Sequence, residues 1–408
     1  MKKVLNNMNR PLLIVTSILL CFGLIMIQSA SSMESYMRYA KSPYYYFIKQ
    51  AVFVVAGLIA SCFILIFPTK NYKKMSNLFI LGSIGILILV YMYGTSANNA
   101  KSWFDLGVVS IQPSEFVKIA VILYLAVYYE KHSDELSELS VLLKPISLII
   151  IAFILIAAQP DLGTASILLL MTGLIFYAVP IPEDKRKFLN KIILSGVLLV
   201  VVLLLVMGKS ILKDYQLQRF NFLDPCERYQ EKSGYQLCNS FIAFSNGGLN
   251  GQGIGESTQK YLYLPESYTD FIFPIIVEEW GLVVGIIIII IYAILLYIIY
   301  QIAKKATNLR NSLIAYGVLI YLLLHISVNL IGVMGIGPLT GVPLPFLSYG
   351  GSYTLSLIIA IALVQRVHIE TTIKNNKKAQ SLVFMRFFRN DNQTASSRFT
   401  RIQEKWCP

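Results

Sequence analysis

The stretch Val283–Tyr300 reads VVGIIIIIIYAILLYIIY and carries no charge. It shows neither the alternation of a half-buried strand nor the polar stripe of a surface helix. An α-helix rises about 1.5 Å per residue, so roughly 20 apolar residues cross a hydrocarbon core of about 30 Å. Lipid offers nothing to pair a free amide, which makes the helix the default for such a run. Thr16–Ile27, Leu148–Ala158 and Ile192–Met207 repeat the pattern. Together they explain why only 14% of the 408 residues are charged, against about 25% in a soluble domain.

Working outward, the hydropathy predicts helices over 11–30, 46–67, 77–94, 112–130, 144–159, 163–181, 189–208, 273–301, 312–334 and 351–369. The expected fold is an all-α polytopic membrane protein of about ten transmembrane helices. One large loop, 209–272, stands outside the membrane, and a basic polar tail over 371–408 is expected to be mobile. An even number of crossings puts both termini on one side. Lys and Arg gather at Lys2, Lys3 and Arg10, at Lys70, Lys73 and Lys74, at Lys185–Lys187, at Lys304, Lys305 and Arg310, and after Arg366. Those are alternate loops, so the positive-inside rule places both termini in the cytoplasm. The same distribution accounts for the net charge of +13 without nucleic acid, which would need a basic face on one folded domain. No small-residue cleavage site follows the first apolar run, so a signal anchor is expected.

Five stretches carry unusual residues. In Gln112–Lys118, Pro113 and Ser114 suit a helix start, and Glu115 and Lys118 lie three apart on one face. They form either a structural ion pair or the polar floor of a headgroup cavity. Asp161, in the tight turn Gln159–Thr164, either caps the next helix or faces that cavity. Gly247, Gly248, Gly251, Gly253 and Gly255 lack the strand before them and the Lys after them that a nucleotide loop needs, so tight turns explain them better than a phosphate cradle. Lys260–Phe273 brings Lys260, Glu266 and Asp270 to the point where the long loop re-enters the membrane, with Glu278 and Glu279 just inside. A partly desolvated carboxylate at Asp270 would suit proton transfer, and an N-cap is the alternative. Gly335–Gly351, rich in Gly and Pro and free of charge, reads as a non-helical re-entrant segment. His325 and Asn329 share a face of the ninth helix, and three histidines in all make a zinc site a poor reading. Cys226 and Cys238 lie in one outer loop, where they either pair or stay free. Gln236–Phe244 is expected to lie amphipathically in the interface.

These motifs, with Ser102–Gly107, Gly234–Gln236, Asn246–Phe273, Glu278–Gly281 and Pro338–Gly351, resemble the SEDS family (shape, elongation, division and sporulation) across about 11–370. The resemblance implies a peptidoglycan glycosyltransferase that polymerises lipid II into β-linked glycan outside the cytoplasmic membrane. It implies a class B penicillin-binding protein and other division proteins as partners. It also implies placement at the septum, since Ser257, Gln259, Lys260 and Tyr263–Glu266 look more like the division or sporulation branch. Asp270 becomes the expected catalytic base, and Glu115, Lys118, Asp161, Lys260 and Glu266 line the cavity. Ser102 stands where the family often has Arg, and Tyr268 where His is frequent. Arg219, Lys260 or Lys118 would then supply the charge for pyrophosphate. A divalent cation, Mg or Mn, would bridge a carboxylate to that group. The runner-up is a lipid II flippase or other transporter.

Overall fold

The computed structural model describes residues 4, 6–97, 100–105, 107, 110–191, 219 and 221–377. The chain forms a helical bundle: α1 Arg10–Tyr39, α2 Tyr45–Ile66, α3 Tyr72–Tyr93, α4 Pro113–Lys131, α5 Leu139–Ala158, α6 Leu162–Tyr177, α7 Lys232–Gly247, α8 Ile272–Lys305, α9 Leu309–Val333 and α10 Gly351–Lys377. Among the described residues seven helices are long and apolar enough to cross a membrane: α1, α2, α3 with its preceding turn, α5, α8, α9 and α10. They turn large apolar side chains outward, such as Phe63 and Leu78, which only lipid would tolerate in such number. The helix expected over 189–208 lies mostly outside the described residues, as does the expected mobile tail.

Local signals set the helix ends. Asn9 accepts from the Leu12 amide and Pro11 opens the first turn, so α1 starts there. Asn308 caps α9 through the Asn311 amide in the same way.

The centre is α4. From Pro113 to Val127 nearly every residue is buried, because α3, α5, α6 and α9 pack around it. It holds Glu115, Lys118 and Glu130 where a lipid-facing helix could not.

Both ends of the described chain lie at one end of the bundle. Asn9 and Gln365 exchange hydrogen bonds there, at 2.9 and 2.8 Å. Glu130 accepts from Lys73 and Arg310, and Glu370 accepts from Thr69, Asn311 and Arg366. This basic end is opposite the long loop.

The loop end holds more structure than bare connections between helices. The 95–111 segment is not bare loop: Thr95–Ala97, Ala100–Asp105 and Ser110–Ile111 form a small antiparallel sheet in the order β1-β2-β3. The Gln236–Phe244 stretch belongs to α7, which packs on the outer ends of the helices. Ser240 donates to the Val333 carbonyl at 2.8 Å, and Phe244 meets Phe273 edge-on. Cys226 and Cys238 are disulfide-bonded, tying the loop before α7 to its second turn.

The glycine-rich stretch after α7 has a backbone task. Helix α8 is broken at Gly281, whose φ is +85°. A continuous helix would pair the Leu282 and Val283 amides with the Glu278 and Glu279 carbonyls. Instead Leu282 and Val283 donate to the Gly248 and Leu249 carbonyls, while Gln252 and Gly253 donate to Glu278 and Glu279. The loop thereby pairs the Leu282 and Val283 amides and the Glu278 and Glu279 carbonyls that the break would leave without helical partners. Close approach of two backbones requires glycine on both sides. A Cβ on Gly281 would stand 2.2 Å from the Leu249 oxygen, and one on Gly251 would stand 2.4 Å from the Glu279 oxygen. Gly281→Ala is therefore expected to destabilise the fold by about 2 kcal/mol or more. Gly85→Ala, where an added Cβ meets nothing within 4 Å, is expected to be neutral or mildly stabilising. Thermal unfolding of both variants in detergent checks this, and equal midpoints would contradict it.

Candidate functional site

Asp270 sits in a tight turn just before α8. Glu266 takes a left-handed conformation, φ +58°, and its carbonyl accepts from the Thr269 and Phe271 amides at 3.1 and 3.2 Å. The chain is thereby wrapped so that Glu266, Thr269 and Asp270 face one another. The Thr269 hydroxyl lies 3.0 Å from both Glu266 Oε2 and Asp270 Oδ1. It has one hydrogen to give, so it couples the two carboxylates.

Asp270 opens onto a small cleft lined by Asn329, Gly332, Val333, Leu339, Thr340, Gly341 and Val342. It keeps a partly exposed edge, yet protein surrounds it densely. Burial pushes its carboxyl up to about 7; the Glu266 charge adds to the rise, while the Thr269 hydroxyl and the Arg219 guanidinium oppose it. Arg219 belongs to the same edge, since its carbonyl accepts from the Leu339 amide.

The far wall is the 335–350 segment, non-helical as expected. Several of its backbone groups are paired by side chains of the surrounding helices. Asn329 donates to the Val342 carbonyl, Tyr353 to Pro343, Tyr292 to Pro345, and Gln50 accepts from the Gly350 amide. Tyr349 donates its amide to the Tyr268 carbonyl, and the rings of Tyr46, Tyr268 and Tyr349 cluster with centroids 4.6 to 5.8 Å apart. Gln50 and Asn329 were not assigned roles from sequence. For Gln50 the available signal was an amide inside an otherwise apolar helix.

One turn along α9 from Asn329, His325 receives the Lys118 ammonium at 3.0 Å, and Lys118 also pairs with Glu115 at 2.9 Å. The Tyr321 hydroxyl donates to Glu115. Lys118 is fully buried, so its charge is committed inside the bundle below the cleft. Asp161 both caps α6, accepting from the Thr164 amide at 3.1 Å, and accepts from Gln112 at 2.8 Å. The Gln112 amide in turn donates to Ser352 at the start of α10.

Lys260 is placed away from Asp270. Its ammonium donates to Glu279 at 2.9 Å, to Ser29 at 3.1 Å and to the Gly255 carbonyl. Glu278 is consumed similarly, accepting from Asn246, Ser257, Thr258 and the Gln259 amide. These two glutamates pin the loop to the break in α8. The site therefore joins Asp270, Glu266 and Arg219 to the 335–350 segment, with Glu115, Lys118 and Asp161 beneath as supports. Among the described residues no three His, Cys, Asp or Glu side chains converge to hold a metal.

Removing one partner of a buried ion pair strands the other charge, at about 3–5 kcal/mol. Lys260→Met is thus expected to lower the thermal midpoint sharply, and Lys260→Met with Glu279→Gln to recover most of it. A cation serving only a bound anion would leave the midpoint of the single variant unchanged.

The sequence pattern of the family described as "Cell cycle protein", of FtsW, RodA and SpoVE, matches residues 10–373. The probable peptidoglycan glycosyltransferase FtsW of Bacillus subtilis is 35% identical, over 93% of this chain and 94% of its own. The corresponding protein of Coxiella burnetii is 37% identical over 88% and 96%. The stage V sporulation protein E of Bacillus subtilis is 34% identical over 87% and 95%. Among solved structures, a chain of a peptidoglycan synthase complex that coordinates polymerization and crosslinking has a similar fold, with TM-score 0.70, 22% identity, and 89% and 98% of the two chains covered. The rod shape determining protein RodA of Thermus thermophilus follows at 0.63 and 23%, covering 88% and 96%. The bundle, the re-entrant wall and the ordered motifs have one explanation: this chain belongs to the FtsW/RodA/SpoVE family of multi-pass bacterial membrane proteins.

Proposed function

We infer that the protein is a peptidoglycan glycosyltransferase, and we propose that it polymerises lipid II with Asp270 as the general base. The observation that carries the reading is the geometry: the Asp270 carboxylate stands at the mouth of the cleft, joined to Glu266 through the Thr269 hydroxyl, where burial raises its pKa toward neutrality. A base with a pKa near the working pH has both the right protonation state and useful driving force.

The donor sugar of lipid II already carries a pyrophosphate leaving group, so a nucleotide site is unnecessary. The acceptor's 4-hydroxyl oxygen attacks the donor's anomeric carbon as Asp270 takes its proton. The bond from that carbon to the pyrophosphate oxygen breaks, and its electron pair leaves with undecaprenyl pyrophosphate. One displacement inverts the α-linked donor into a β-1,4 linkage. Arg219 is the cation suited to the departing charge. A Mg or Mn ion brought with lipid II would neutralise charge on the departing pyrophosphate, leaving Asp270 free to act as the base. Lys118, closed off by Glu115 and His325, supports the cleft from below. That closure also argues against the transporter reading, which needs midmembrane polar groups open to a passing headgroup.

The basic end, where Asn9 meets Gln365, supports cytoplasmic termini and an outer long loop. Ile286, Ile290, Ile294 and Tyr297 form one exposed face of α8. This face, with α9 and the long loop, is the proposed seat of the single-span helix of a class B penicillin-binding protein, through packing rather than hydrophobicity. Other division proteins would gather there at the septum.

Purified protein with its transpeptidase partner, given lipid II, tests the base. Asp270→Asn is expected to fold and hold the partner but to lose about 10²–10⁴ in rate; polymerisation near the wild-type rate would remove Asp270 from the mechanism. The pH profile tests the environment. Since the base must be ionised, the wild-type rate should climb through a midpoint of about 7. Glu266→Gln deletes a neighbouring negative charge, so the carboxylate ionises more easily and the midpoint should move to lower pH. An unmoved midpoint would show that Glu266 does not act on the base.

A further inference from the structure

We propose that Asn329 is a positioning residue for glycan transfer: its amide clamps the Asp270 and Val342 carbonyls together and so aims the Asp270 carboxylate into the cleft. The inference rests on Asp270 being the base. Asn329 is buried near the loop end of α9. Its Nδ2 donates one hydrogen to the Asp270 carbonyl at 2.7 Å and the other to the Val342 carbonyl at 2.8 Å. The two hydrogens of a planar amide diverge at a fixed angle, so the turn bearing Asp270 and the re-entrant wall are locked at one separation. The reverse amide orientation would press an oxygen against two carbonyl oxygens, so chemistry fixes the assignment.

The Asp270 carbonyl depends on this donor. A helix would supply the amide four residues on, but that residue is Pro274, which has none. Val342 precedes Pro343 in a non-helical segment. The clamp is rooted in rigid ground, because the next turn of α9 carries His325 against Lys118 and Glu115. The carboxylate lies over the Gly341 backbone, where an added Cβ would stand 3.8 Å from Asp270 Oδ2. The other side of the amide is telling as well. Among the described residues Asn329 Oδ1 is buried without a partner beside the same cleft. An asparagine serving packing alone would have both ends satisfied.

Among the described groups facing Asp270, the charged ones are Glu266 on its own turn and Arg219 beside Leu339; the 335–350 wall has no charge and Asn329 is neutral. Loosening the clamp changes none of those charges. It lets the carboxylate swing toward water, which lowers its pKa by relieving burial.

The full chain with its transpeptidase partner, assayed on lipid II across pH, tests this. Asn329→Ala is expected to lose about 10- to 100-fold in kcat, the scale of a misplacement of about 1 Å. Its acid-limb midpoint is expected to fall below that of the wild type. In the Asp270→Asn background, Asn329→Ala should cause no further loss. A packing role alone would reduce the active fraction yet leave the midpoint in place, and that result would overturn the proposal. If Asn329→Ala does not fold, Asn329→Ser, which keeps one donor, carries the same comparison with a smaller shift. The two readings separate cleanly. Normal polymerisation by Asp270→Asn defeats the base assignment and this inference with it. An inactive Asp270→Asn beside Asn329 variants with the wild-type midpoint defeats the positioning role alone.

Discussion

A peptide group in hydrocarbon has no water to fall back on, and the whole structure is arranged around that constraint. Among the described residues two stretches leave helical geometry inside the bundle, the break at Gly281 and the 335–350 wall. Each is satisfied from elsewhere in the chain. The break in α8 exchanges its four lost groups with the loop at Gly248–Gly253. The wall takes donors and acceptors from Gln50, Tyr292, Asn329 and Tyr353. Asp270 lies between these two repairs. Its chemistry depends on a dry but polar cleft, which irregular backbone creates and continuous helices would fill.

Much of the fold was legible because lipid imposes simple length and polarity rules. The runs that became α1, α2, α5 and α8 are apolar enough to be read by eye. Helix α4 was legible as a helix from Pro113, but not as the centre of the bundle. Its Glu115 and Lys118 say that it cannot face lipid, yet no local pattern says which helices cover it. The sheet at Thr95–Ile111 was missed because strands of two to six residues carry too little periodicity to detect. The protein contacts of α7 were not legible for a related reason. An amphipathic helix has an apolar face wherever that face is buried, and a protein groove and a membrane interface select the same residues.

At the site, position in the chain was informative and partner identity was not. Asp270 stood out as an acid at the re-entry of a long loop, and Asp161 as a cap beside a turn. Lys260 looked equally available for a phosphate, because nothing in its neighbourhood announces that Glu279, nineteen residues on, takes it across a helix break. Asn329 was visible beside His325, but its two carbonyl partners come from other segments. Such roles depend on backbone carbonyls, which every residue has, so side-chain identity carries no trace of them.

The central claim is that a carboxylate at position 270 accepts the acceptor hydroxyl's proton. Replacing Asp270 with Ala leaves a gap in the cleft into which a small carboxylate such as formate fits. Polymerisation of lipid II by Asp270→Ala, measured with increasing formate, tests the claim most directly. The account predicts no detectable glycan without formate and a rate that rises with its concentration. Glycan made at near the wild-type rate without formate would contradict it.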